Sequence, residues 1–246
     1  MIMEIKLLNI SPNDLPKHIF KYMSLSYAID TIRKDTLWFS DPEEWNDPYE
    51  SYFMNNAYVN ANNPFDFPLK EKVYASCFTM VSNSEAQWKA YCDQGISIRF
   101  DILRDEFLLA LDRLSHKYDV YIGKVIYLPT HKLNNLNVPA VLNAMGNPPV
   151  TNDIEKALYL MLCKRVAFSY EQEIRVFLIP KNMTTSAKKG VEENVGLKAI
   201  TDRYTISPLN RDVQEVIKAG LTSVHNIKNV YCATLYEAPA NQVLDW

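Results

Sequence analysis

The sequence predicts an α+β fold in which a largely antiparallel sheet is flanked by helices. Three observations predict it. Short runs rich in β-branched and aromatic residues mix with helical patterns, but without the strand–helix–strand rhythm of a doubly wound parallel sheet. No period of about 20–50 residues repeats, and no low-complexity linker divides the chain, so residues 1–246 read as one domain. Apolar residues make up 48% and charged residues 22%, which is enough apolar surface for a core and too little charge for a disordered chain.

The elements follow in order. His18–Ser24 (HIFKYMS) alternates as a short strand, and Leu25–Asp35 places Ala28, Ile29 and Ile32 at helical spacing. Thr36–Ser40 (TLWFS) reads as a second strand. Asp41–Ser51 (DPEEWNDPYES) is a loop with two prolines and an Asn-Asp-Pro turn. Glu71–Met80 is a strand of β-branched and aromatic residues. A capped helix follows over Asn83–Asp93, and the run Gln94–Asp101 (QGISIRFD) turns at Gly95 and becomes a strand. Asp101–Lys117 reads as a helix and Tyr118–Thr130 as a strand pair or one bent strand. Thr151–Ser169 is expected to be one long amphipathic helix capped at Thr151 or Asn152, and Phe168–Pro180 a strand. Lys181–Thr201 is a polar hairpin or mobile loop, Arg211–Thr222 a helix, and Lys228–Glu237 a last strand.

Composition removes several classes of function. Net charge is −3, so no global positive field draws the chain to nucleic acid or an anionic membrane. Cys77, Cys92, Cys163 and Cys232 form no C-x-x-C pair and match no zinc spacing, so they are expected as thiols in a reducing cytoplasm, with no metal. His18, His116, His131 and His225 are scattered. None of the six glycines falls in a Rossmann or Walker pattern. No secretory signal and no apolar run of about 18 residues is visible, so a cytoplasmic protein without a membrane partner is expected.

The segment Phe168–Pro180 (FSYEQEIRVFLIP) carries three charges inside an apolar strand. Alternation puts Ser169, Glu171, Glu173, Arg175 and Phe177 on one face, and Phe168, Tyr170, Gln172, Ile174, Val176 and Leu178 on the other. The apolar set is expected in the core, with the charges facing away into water or a cleft. Two readings stay open. In one, the charges form a plain polar face, with Arg175 paired to Glu173 for about 0.2–1 kcal/mol. In the other, two carboxylates and a guanidinium line a site where preorganised charge stabilises a developing cation, and Arg175 orients a carboxylate or grips a phosphate. Trp88 and Tyr91, three apart on a helix, are core packing or a stacking platform. Asn46 and Asp47 make a turn before Pro48, with Asp47 and Glu50 within reach of a cleft. Lys181, Lys188 and Lys189 form either a solvated loop or a local basic strip.

The order Lys21-Tyr22, Leu37-Trp38-Phe39-Ser40, Trp45 to Glu50, Ser76-Cys77-Phe78, the Trp88-x-x-Tyr91 helix and Tyr170 to Arg175 resembles a bacterial family, domain of unknown function 2971, over roughly residues 19–179. The run from Ile19 to Ser40 is more distantly similar to the opening of ADP-ribosyltransferases that modify DNA and RNA. That resemblance implies a split sheet and NAD as substrate. It places Lys21 or Tyr22 at the nicotinamide end, where that family has His or Arg, and Ser76 or Thr79 at a second position. Glu173 takes the place of the catalytic carboxylate, with Glu171 two residues before it. Tyr22, Trp88 and Tyr91 are rings for nicotinamide. It further implies a nucleic-acid or protein acceptor, a toxin or phage-defence role and a partner antitoxin. A non-catalytic nucleotide- or partner-binding module and an NAD or nucleotide hydrolase are the alternatives.

Overall fold

The computed structural model describes residues 4–45, 47–50, 58–60, 63–65, 69, 73–91, 95–134, 138–144, 150, 152–182, 189–208 and 211–237. Ten strands among them form one mixed, mostly antiparallel sheet. Its main path takes, in spatial order, β1 (Lys6–Leu8), β8 (Tyr118–Lys124), β11 (Glu173–Pro180), β6 (Tyr74–Thr79), β2 (His18–Ser24), β7 (Ser97–Leu103), β13 (Thr201–Ile206) and β14 (Val230–Cys232). Strand β3 (Thr36–Ser40) branches from β6 and carries β12 (Gly190–Asn194). The outer pairs β1–β8 and β13–β14 are parallel. Two small ladders stand apart: β4 (Tyr58–Asn60) with β5 (Asn63–Phe65), and β9 (Ile126–Leu128) with β10 (Cys163–Arg165).

Helices cover both faces. They are α1 (Leu25–Lys34), α2 (Glu85–Tyr91), α3 (Arg104–Asp112), α4 (Thr130–Leu133), α5 (Val138–Ala144), α6 (Asp153–Met161), α7 (Leu197–Ile200) and α8 (Arg211–His225). Helix α1 buries Ala28 and Ile32, four apart, and stops where Asp35 turns left-handed (φ 62°) and returns its N–H to the Thr31 carbonyl. Helix α6 is capped by Asn152, whose side chain accepts the Glu155 N–H at 2.9 Å.

The α+β class and the mostly antiparallel sheet agree with the sequence reading, and four local expectations need correction. The expected helix over 151–169 is three elements: α6, then β10, then a 3-10 turn over Val166–Glu171. The expected strand over 168–180 begins only at Glu173, because Gln172 is left-handed (φ 40°) and reverses the chain. Asp101–Leu103 extends β7, which shortens the helix after it. The last strand is Val230–Cys232 alone. Asn46, Cys92, Thr151 and Lys188, which the sequence also singles out, lie outside the described residues.

The two faces of the sheet differ in chemistry. Alternation sends Ile174, Val176 and Leu178 of β11 to one side, where they join Phe78, Ile19, Met23, Ile98, Phe100 and Ile206 in the larger apolar core. The other side carries Glu173, Arg175 and Phe177 of β11, Cys77 and Thr79 of β6, Phe20 and Tyr22 of β2, and Arg99 and Asp101 of β7. A second apolar cluster, built on α6 and including Phe177, Ala75 and Tyr121, covers part of it.

The sheet is nearly divided between β6 and β2. Strand β2 pairs with β7 along its whole length but with β6 only at Phe20↔Thr79. Strand β3 meets β6 only at Ala75. Between those two points the Lys21 ammonium fills the gap, donating to the Cys77 carbonyl at 2.9 Å and to Ser76 Oγ at 3.0 Å. A lysine here satisfies a backbone acceptor that a neighbouring strand would otherwise take.

Gly123 of β8 sits opposite Arg175, and a Cβ there would lie 2.5 Å from a Leu162 methyl. Leu162 is fully buried just past the end of α6, so the contact is relieved only if packed side chains move. Gly123→Ala is therefore expected to cost about 1–3 kcal/mol of stability. A urea midpoint within error of the wild type would show that α6 can shift.

Candidate functional site

Glu173 and Arg175, two apart on β11, form a bidentate pair inside the protein: Nε to Oε1 at 2.9 Å and Nη2 to Oε2 at 3.1 Å. Arg175 is 1% exposed. The expectation that these charges face outward is thus overturned, because helices and loops cover the sheet on this face too. The Arg175 guanidinium also donates from Nη1 to the Met161 carbonyl at 2.6 Å and from Nη2 to Glu50, and it stacks on Trp45 at 4.5 Å. Its three nitrogens are all engaged within the protein, so it orients the site.

A second cation comes from β10. Lys164 Nζ lies 2.6 Å from Glu171, 3.1 Å from Glu173 and 3.2 Å from Glu50. Three carboxylates therefore meet two cations in one buried cluster. The two glutamates of the Glu-Gln-Glu run are treated oppositely. Burial pushes Glu173 up, but the charge and hydrogen bonds of Arg175, then Lys164, more than offset it and hold the carboxylate at about 2. Burial dominates at Glu171 and raises it above the usual carboxylate range, with Lys164 opposing. Environments that push two neighbouring carboxylates apart separate a permanently charged group from one that exchanges a proton.

The surroundings are tightly bonded. The Cys77 thiol donates to Glu173, and burial, then Glu173, pushes its pKa well up, so it stays a thiol. Tyr127 Oη accepts the Glu173 N–H at 2.9 Å. The Glu171 carbonyl accepts from Thr79 Oγ1 and, at 3.3 Å, from Gln87 Nε2 of α2, which ties the turn to that helix.

Helix α2 also brings the aromatic candidates. Trp88 is buried and meets Tyr22 edge-on at 4.7 Å, and Tyr91 stacks on Tyr22 at 6.2 Å. Tyr22 donates to the Ser82 carbonyl at 3.0 Å, and burial pushes its phenol up to about 12. Tyr91 shows 42% of its surface, yet its phenol is pushed up by burial and then by Cys77, Glu173 and Glu171.

The structure brings most of the sequence candidates together. Glu171, Glu173, Arg175 and Glu50 are in one network, and Tyr22, Trp88 and Tyr91 lie on the same side of the sheet. Lys21 and Ser76 belong by alternation to the opposite, apolar side, where Lys21 also lies 4.6 Å from the Phe78 ring. Of the two residues proposed for the first strand position, Tyr22 is the one that shares a face with the carboxylates. Burial lowers the Lys21 pKa against the pull of Cys77 and Glu173, and the ammonium serves the gap in the sheet. Asp47 stands beside the cluster, 3.1 Å from Arg165.

Several participants escaped the sequence reading: Lys164, Tyr127, Gln87 and a second buried pair, Arg99 with Asp101 on β7; Trp45 enters that reading only as part of a motif, with no role of its own. Arg99 Nε meets Asp101 Oδ1 at 2.6 Å, and Nη2 meets Oδ2 at 2.9 Å and Thr205 Oγ1 at 3.2 Å. The signal for this pair was in the sequence, since Arg99-x-Asp101 sits in an apolar run just as Glu173-x-Arg175 does. Among the described residues no three His, Cys, Asp or Glu side chains are grouped as metal ligands, and no helix is long and apolar enough to cross a membrane.

Residues 87–176 match a family described as protein of unknown function (DUF2971). The matched segment holds Trp88, Tyr91, the Arg99–Asp101 pair, Lys164, Glu171, Glu173 and Arg175. It supports the unknown-function family read from the sequence, over a shorter span than residues 19–179. No curated protein and no solved structure matches the chain.

Proposed function

We propose that this face of the sheet is the active site of an ADP-ribosyltransferase-like enzyme, which takes NAD as substrate and passes its ADP-ribose to a nucleic-acid or protein acceptor. The observation that carries the reading is the place of the carboxylates. Glu171 and Glu173 stand beside the near-break in the sheet, with opposed proton affinities and an aromatic wall of Tyr22, Trp88 and Tyr91 beside them.

The chemistry assigns each group a task. The bond between ribose C1 and the nicotinamide nitrogen breaks, its electron pair leaves with nicotinamide, and positive charge spreads over the ribose. Glu173, kept ionised by Arg175 and Lys164, supplies a fixed negative field for that charge. An acceptor oxygen or nitrogen then bonds to C1 and gives its proton to Glu171, the carboxylate whose affinity for a proton is raised. Lys164 bridges the two and keeps them in register.

Incubation with NAD labelled in the ADP-ribose part, alone and with RNA, DNA or lysate, tests the reading. Wild type is expected to release nicotinamide and label an acceptor, and Glu171→Gln is expected to fall to background while melting as the wild type does. Equal turnover in Glu171→Gln would end the assignment.

One observation favours a non-catalytic nucleotide-binding module instead: both Glu173 oxygens are already taken by Arg175 and Lys164. That reading predicts a higher melting temperature with NAD and no product.

A further inference from the structure

We propose that Arg165 forms an anion subsite beside the carboxylates and receives a phosphate of the substrate; the choice of a nucleotide diphosphate as its class rests on the NAD reading above. Strand β10 delivers two consecutive cations. Lys164 goes into the carboxylate cluster. The Arg165 guanidinium lies between two rings, 4.7 Å from Tyr49 and 5.0 Å from Phe168, with Nη2 donating to Asp47 at 3.1 Å. The rings fix its plane and Asp47 fixes its rotation, so the group is held in advance of any ligand.

It is held but not used up. Arg165 Nε is screened from solvent and has no hydrogen-bond partner. Arg165 as a whole is partly exposed, 30% of its side chain, whereas the two buried arginines on this side of the sheet, Arg99 and Arg175, both spend Nε on a carboxylate. A shielded guanidinium N–H without an acceptor is uncommon in folded proteins and marks a place where an acceptor arrives. The planar fork of arginine suits a phosphate oxyanion, and stacking on rings leaves its edge free to donate.

Position selects the ligand. The Phe168 ring lies 5.1 Å from Lys164 Nζ and 5.0 Å from the Arg165 guanidinium carbon, so the two cations flank one ring. The subsite therefore borders Glu171 and Glu173. A dinucleotide whose ribose C1 lies at those carboxylates carries its phosphates about one ribose away, and Arg165, which shares the Phe168 ring with Lys164, is the cation assigned to them.

Titration calorimetry at low salt with inorganic pyrophosphate and with ADP-ribose tests this. Wild type is expected to bind both probes. Arg165→Gln is expected to weaken each by at least about tenfold, and Arg165→Lys to weaken them less, because charge remains and the fork is lost. Glu171→Gln is expected to keep pyrophosphate binding. Thermal melts of each variant report folding. No binding to wild type, or equal binding to a folded Arg165→Gln, overturns the subsite. Arg165-dependent pyrophosphate binding without any nicotinamide release would leave the subsite standing and remove the glycosyl-transfer reading alone.

Discussion

Arg175→Met is expected to lower the stability of the protein by about 3–5 kcal/mol, the usual cost of stranding a buried charge. The guanidinium sits at 1% exposure and serves Glu173 and Glu50 together. Without it Lys164, already shared with Glu171, is the one cation left beside these two carboxylates among the described residues. The melting temperature should fall by roughly 10 °C, given the entropy of unfolding of a chain this size. The double variant Arg175→Met/Glu173→Leu should recover at least half of the loss. Replacing both members of a buried pair by apolar groups is often neutral, whereas removing one is not. The cycle is read from urea midpoints at constant slope. A single-variant cost under about 1 kcal/mol would place the cluster among weak, solvated pairs.

The same pair marks where the sequence was legible and where it was not. Strands at His18–Ser24, Thr36–Ser40 and Tyr74–Thr79 announce themselves by alternation and β-branched or aromatic content. The face assignment within β11 was also legible, since Ile174, Val176 and Leu178 do share the larger core. What alternation cannot tell is whether the other face meets water. Here it meets α6 together with Trp45, Tyr49 and Glu50, so a pattern that reads as half-exposed belongs to a strand buried on both sides. Position 172 was illegible for another reason: a glutamine in left-handed backbone has no local signature, and that one residue separates Glu171 from the strand. The apolar continuity of Ala157 to Cys163 hid the switch from helix to β10, whose register with β9 is a long-range fact. Lys164 therefore looked like the surface residue of a helix while its ammonium lies among three glutamates.

Stability should fall steeply in acid, and Glu173 should account for about 3 kcal/mol of the fall, at about 1.36 kcal/mol per pKa unit. Its carboxyl is held at about 2 in the folded protein against 4.5 without the fold, by Arg175 and Lys164 working against burial. A depressed folded pKa means that the unfolded chain binds the proton more readily. The contribution is thus fully present above 4.5 and disappears as the pH falls from 4.5 to 2. Glu171 acts with the opposite sign. Its raised pKa makes the ionised form unwelcome in the fold, so protonation at pH values above 4.5 relieves that penalty. The wild-type profile should hold or rise slightly as the pH approaches 4.5 and then drop. Glu173→Gln, less stable at neutral pH because Arg175 loses its principal partner, should have the shallower acid limb. Glu171→Gln should lose the small gain above 4.5 and keep the steep limb below it. Urea unfolding at intervals from pH 7 to pH 2.5 measures all three, and differences between profiles cancel the other carboxylates. Parallel profiles for wild type and Glu173→Gln would mean that Glu173 titrates alike in both states. The buried cluster would then be neither a store of acid-labile stability nor a source of the fixed negative field on which the proposed chemistry depends.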